Sequence, residues 1–95
     1  MTAYVIGDVE ITNPEGYEEY RPHVPATVEK YGGKYLVRGG AAEPVEGSWA
    51  PQRLVVLEFA SMERVKEWYN SPEYTAIRGI RIGNSNSNVI FVDGI

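Results

Sequence analysis

Cysteine is absent from the 95 residues, and histidine occurs once, at position 23. Without thiols there is no disulfide framework, no thiolate metal site and no cysteine nucleophile. A lone histidine also leaves one subunit without the clustered donors of a transition-metal centre, so neither a metal nor a cofactor is expected. Basic residues are in the minority, nine against thirteen acidic, for a net charge of −4 with no block of like charges. A general nucleic-acid binder needs a concentrated basic surface, which this chain lacks, although a local anion pocket stays compatible with the balance. Long apolar runs are missing too. None approaches the ~20 residues of a membrane-spanning helix, and no charged leader with an apolar core opens the chain. A reducing cytoplasm is the expected location. Gly32-Gly33 and Gly39-Gly40 do not precede helices, so neither is a phosphate-cradling loop.

What is present reads as one small domain over residues 1–95, in the order βαββαβ. Ala3 to Ile11 is a first strand. Asn13-Pro14-Glu15 starts a helix with a capping side chain, a proline that needs no donor, and an acid at the positive end of the dipole. Tyr17, Tyr20, Val24, Val28 and Tyr31 follow at helical spacing, with a bend expected at Pro22 and Pro25. Gly32-Gly33 ends the helix. Lys34 to Arg38 is a second strand, and the loop after it has a possible edge extension near Ala42 to Val45. A third strand runs from about Gln52 to Phe59. Ser61 caps one helix, and Ser71-Pro72-Glu73 starts another that continues toward Arg81. Gly83 to Asn88 reads as a polar turn and Val89 to Val92 as the last strand.

Three of the strands are apolar at consecutive positions: Ala3-Tyr4-Val5-Ile6, Leu54-Val55-Val56-Leu57 and Val89-Ile90-Phe91-Val92. Unbroken runs imply burial on both faces. Two helical stretches cover only one face of a four-stranded sheet, so a second copy of the chain is the expected cover for the other. The element order fits a ferredoxin-like α+β fold, an antiparallel sheet with both helices on one face and the first and third strands central.

Several stretches resemble an uncharacterised, domain-of-unknown-function family of the dimeric α+β barrel superfamily. They are Tyr4 to Pro14, Lys30 to Gly40, Val56-Leu57-Glu58-Phe59 and Trp68 to Tyr74. The resemblance implies two ferredoxin-like subunits joined through their sheets into a homodimeric barrel. Its superfamily includes cofactor-independent monooxygenases, muconolactone isomerase-like enzymes, dye-decolorising peroxidases and stress-related barrels. A fold alone does not choose among them.

Chemistry must come from polar residues on buried elements. Arg38 closes the apolar run Tyr35-Leu36-Val37 ahead of two glycines. It is either a fork for a carboxylate or enolate, or the salt-bridge partner of Asp8 or Glu58. A carboxylate at Asp8 or Glu58 held in an apolar pocket would have a raised pKa and could act as a base. Pairing with Arg38 or Lys34 is the competing role, and the antiparallel strands keep the two acids apart. His23 is either a proton shuttle or a residue that caps or lines the proline bend. Tyr17 and Trp68 are core residues or walls of an aromatic-substrate pocket. Arg78 and Arg81 have the spacing of a solvated helix face. Two functions follow. One is a small-molecule-binding barrel for an anionic or aromatic ligand, with cofactor-independent chemistry on an enolisable substrate. The other is a noncatalytic assembly or sensing module.

Overall fold

The computed structural model describes residues 1–95. Strand β1 (Ala3–Ile11) is followed by helices α1 (Pro14–Tyr17) and α2 (Val24–Lys30), then by β2 (Lys34–Arg38) and β3 (Leu54–Phe59). Helices α3 (Met62–Tyr69) and α4 (Pro72–Gly83) lead to β4 (Ser85–Asp93). The sheet order is β2-β3-β1-β4, and every pairing is antiparallel. This is the ferredoxin-like arrangement expected, with β1 and β3 in the centre.

The local signals act where they were read. Asn13 Oδ1 accepts from the Gly16 amide, Ser61 Oγ from that of Arg64 and Ser71 Oγ from that of Tyr74. Each satisfies a donor that a helix start leaves free. Gly32 has φ of 76°, the left-handed geometry that stops α2. The proline segment does more than bend the helix. Residues 18–23 leave it as turns, because Pro22 and Pro25 supply no amide donors.

Three boundaries differ from the sequence reading. Ala42 to Val45 forms no strand, and the chain leaves the sheet at Gly39, whose φ is 71°. Strand β3 starts at Leu54 because the Gln52 amide donates to the Asp8 carboxylate (2.9 Å) instead of a neighbouring strand. Strand β4 starts at Ser85, since β1 is long enough to pair Ile11, Glu10, Val9 and Asp8 with the four polar residues Ser85 to Asn88.

Register separates two faces, because paired residues project to the same side of a sheet. On one side Tyr35, Leu57, Val5 and Phe91 form a row across all four strands. The helices pack on this side, where Val5, Val28, Leu57, Phe59, Val65 and Trp68 belong to one core. On the other side runs the row Val37, Val56, Ile6 and Ile90, which no helix covers. The pairing of β2 with β3 shifts between Tyr35 and Val37, a bulge with one extra residue on β2. Strict alternation from Tyr35 would turn Arg38 away from the helices. The bulge returns it to the helix side, level with Val55.

Candidate functional site

Arg38, Val55, Gly7 and Val89 are consecutive cross-strand neighbours on the helix side of the sheet. Their row has a hole in it. Gly7 carries no side chain, and an added Cβ there would find only ordinary contacts, at 3.7 Å from Val89 and 3.9 Å from the Asn88 carbonyl. Above this gap lies a cavity of about 70 Å³, roofed by Tyr17, Tyr20 and Val24 on one side and by Trp68, Tyr69 and Tyr74 on the other. Its lining is mostly apolar and includes Arg21, Arg38, Arg53 and Arg81, with no aspartate, glutamate or histidine. Arg21, Arg38 and Val89 are the exposed members of the lining, so the cavity reaches the surface beside them.

Three of these guanidinium groups have no carboxylate partner. Arg38 stacks over the Tyr35 ring, 4.6 Å from its centroid. Arg81 is only 7% exposed, yet its nearest partners are hydroxyls: Nε donates to the Tyr74 oxygen at 3.4 Å and a terminal nitrogen to Ser87 Oγ at 2.6 Å. Burial opposes the Arg81 charge. The neighbouring Tyr74 hydroxyl, its hydrogen bond, and Tyr20 and Tyr69 beyond it more than offset that, leaving the pKa above its ordinary value. Arg81 therefore stays charged. The Arg53 Nε is buried and has no hydrogen-bond partner. Its guanidinium lies against Gly39, where an added Cβ would come within 3.0 Å of Arg53 Cζ. Gly39, the first of the two glycines after Arg38, thus makes room for an arginine.

Three of the phenols, Tyr17, Tyr20 and Tyr35, are held neutral. The Tyr20 and Tyr74 hydroxyls are 2.7 Å apart, and burial followed by the proximity of Tyr74 drives the Tyr20 pKa far up. Burial also raises those of Tyr17 and Tyr35, only partly countered by nearby arginines. Such groups donate hydrogen bonds and are poor bases. Trp68 points its Nε1–H away to Thr27 Oγ1 at 3.0 Å, and its ring packs 4.2 Å from that of Tyr74.

The structure brings Arg38, Tyr17 and Trp68 to one cavity and leaves Asp8, Glu58 and His23 outside it. Asp8 pairs with Leu54 and Asn88, outside the helix-side rows, and accepts from Trp49 Nε1 at 2.8 Å as well as from Gln52. Those bonds, Trp49 first, hold its pKa below the ordinary value, the opposite of the raised pKa a buried base requires. It forms no salt bridge with Arg38 or Lys34. Glu58 forms the expected ion pair with Lys34, at 3.3 Å. Its strand partner is Tyr4 while that of Asp8 is Leu54, so the two acids stand apart as expected. His23 is exposed at the start of α2, and its side chain makes no capping bond. Arg81 is the largest correction, a buried cation where a solvated face was expected. Arg78 is half-buried, 4.4 Å from the Tyr69 ring centroid, and donates to the Tyr69 carbonyl. Gly7 and Arg53 escaped the sequence reading as site residues, and Arg81 entered it only as part of a solvated face. Only Gly7 left a signal, a glycine inside a strand, which marks a gap or a close approach.

No three of the His, Asp and Glu side chains converge to hold a metal ion, and no helix is long and apolar enough to cross a membrane. No protein of curated function matches the sequence. Among solved structures, a protein of unknown function from Rhodopseudomonas palustris superposes with a TM-score of 0.77 at 18% identity, covering 99% of this chain and 82% of that one. A Mycobacterium tuberculosis protein gives 0.64 at 16% identity, covering 100% and 96%. A cofactor-independent oxygenase from Streptomyces nogalater gives 0.66 at 9% identity, covering 99% and 93%. Identities this low establish a shared fold, the ferredoxin-like α+β sheet with its helices. The family assignment rests on sequence. The description "domain of unknown function (DUF1330)" matches residues 2–95, and the chain belongs to that family.

Proposed function

We propose that the protein is a homodimeric α+β barrel of one domain per chain, working in the cytoplasm, that binds a small anionic or aromatic molecule in the cavity under its helices. One observation carries this reading. An otherwise apolar, aromatic-walled cavity is lined by four arginines and by no carboxylate. Unpaired guanidinium groups in such surroundings favour a ligand that brings negative charge or develops it. Aromatic and valine walls favour an apolar body. The fold shared with a cofactor-independent oxygenase supports cofactor-independent chemistry as the catalytic form of this reading, on an enolisable or aromatic compound.

The lining can stabilise an enolate or phenolate through Arg38, the arginine at the exposed edge. It offers no base to create one. Tyr17, Tyr20 and Tyr35 hold their protons too tightly, and Asp8, Glu58 and His23 lie elsewhere. A substrate acidic enough to lose its proton to water is therefore the only kind this site would activate. The missing base favours the second reading, a noncatalytic ligand-sensing module, over any substrate that needs a protein base.

A phenolic bicycle such as 1-naphthol tests the reading, with Trp68 fluorescence as the signal in a Trp49→Phe background. Saturable binding is expected. Arg38→Met, which keeps the apolar stem, should weaken binding of the phenolate by at least ~1.5 kcal/mol, the low end for a hydrogen bond to a charged group. Stability should change little, because Arg38 has no salt bridge to break. Binding that ignores Arg38→Met would remove Arg38 from the site. Dioxygen uptake with the bound phenol would decide for an enzyme over a sensor.

A further inference from the structure

We propose that the cavity holds a carboxylate site formed by Arg53 and the Tyr20–Tyr74 hydroxyl pair, with Arg81 as the positioning residue. The inference rests on the cavity being a ligand site, and it names the group that the ligand must carry. Proton counting leads to it. Arg81 Nε–H donates to the Tyr74 oxygen, and one phenolic proton is shared between Tyr74 and Tyr20. Two hydroxyls carry two protons, so one remains without an acceptor whichever phenol donates in the shared bond. The buried Arg53 Nε–H also lacks an acceptor. The site therefore has surplus donors and no anion among its lining residues.

Buried donors without acceptors are costly, so their complement is a group that only accepts. An ionised carboxylate fits, with two oxygens for two kinds of donor and a charge opposite to that of Arg53 and Arg81. A cavity of about 70 Å³ takes a compact head group. The rest of the molecule must extend toward exposed Arg21 and Arg38, between aromatic walls, which suits an aromatic or branched apolar monocarboxylate. Gly39 belongs to the device, since its missing Cβ leaves the place where the Arg53 guanidinium lies. Two backbone bonds hold that corner: the Val9 amide to the Arg53 carbonyl at 2.9 Å and the Gly39 amide to the Leu54 carbonyl at 2.8 Å.

Benzoate, its neutral isostere benzamide, inorganic phosphate and 1-naphthol are the probes, followed by Trp68 fluorescence in Trp49→Phe protein. Benzoate should bind at least tenfold more tightly than benzamide and phosphate, the scale of one charge-assisted hydrogen bond. Arg53→Met should erase the preference for benzoate, read as the ratio of benzoate to benzamide affinity in the same variant. Tyr74→Phe should reduce the preference in part. The Arg53 Nε–H proton resonance of the unaltered protein should move downfield when benzoate is added, a readout that needs no variant to fold. Equal affinities for benzoate and benzamide, with 1-naphthol still bound, would overturn the carboxylate site and leave the ligand cavity standing. Phosphate binding more tightly than benzoate would also overturn it, in favour of a tetrahedral anion. Failure of all four probes to bind would overturn both.

Discussion

Gly7 is the residue on which the cavity depends. It occupies the centre of β1, where a strand gains from a β-branched side chain and loses from a glycine. Its neighbours would accept one, since the closest atoms to an added Cβ are 3.7 and 3.9 Å away. The chain thus keeps a locally unfavourable residue where it leaves ligand space, the pattern of a site that trades stability for function. Gly7→Val is expected to fill the cavity floor. Affinity for 1-naphthol should fall more than tenfold, while urea unfolding at fixed protein concentration should show unchanged or higher stability, by up to ~1 kcal/mol. A loss of stability above ~2 kcal/mol would mean that the gap is too small for two extra methyl groups, the overpacking case. Unchanged ligand affinity would mean that the ligand sits elsewhere.

At the scale of elements, the end of α2 and the start of α4 meet through Glu73. Its carboxylate takes a hydrogen bond from the Tyr31 hydroxyl at 2.7 Å and pairs with Lys30. Those two partners, Lys30 first, depress the Glu73 pKa to about 2. Because the folded pKa lies below the unfolded one, the pair contributes stability above the ordinary carboxylate range and loses it as pH falls toward about 2. The same bonds raise Lys30 and Tyr31, so their contribution persists at neutral pH and fades only at strongly alkaline pH. Glu73→Gln should flatten the acid limb of a plot of unfolding midpoint against pH between about 2 and 4.5, the window set by the folded and ordinary carboxylate values. Parallel acid limbs for the two proteins would remove Glu73 from the account. The caps at Asn13, Ser61 and Ser71 were legible because a helix start is decided within four residues. The bulge at Leu36 was not, since it exists only in the pairing with β3, and with it went the side on which Arg38 projects. Strand β4 was read short for the same reason: Ser85 to Asn88 are polar, and only the reach of β1 makes them a strand. Arg81 was misread because spacing places a residue on a helix face but does not say what that face meets.

For the whole molecule, the open side of the sheet is the remaining question, and the three unbroken apolar strands bear on it directly. Half of each run faces the helices. The other half supplies Ile6, Val56 and Ile90, which join Val37 in one row across four strands. Ile90 is 56% exposed and Val92, in the flanking row, is 40% exposed. A contiguous apolar patch of this kind marks an interaction surface, and a self-complementary one suits a two-fold dimer. The protein should elute at micromolar concentration with about twice the mass of its 10.6 kDa chain by light scattering. Ile90→Lys places a charge on the β4 side of that surface but in water in the separated subunit. It should give a folded monomer, with the far-ultraviolet circular dichroism of the parent. The cavity lies on the opposite side of the sheet, so the monomer should bind 1-naphthol within about twofold of the parent, well inside the tenfold scale of one lost contact. A monomeric parent would defeat the barrel. A dimeric variant would put the interface elsewhere, and a folded monomer that no longer binds would mean that each site needs its partner subunit to be complete.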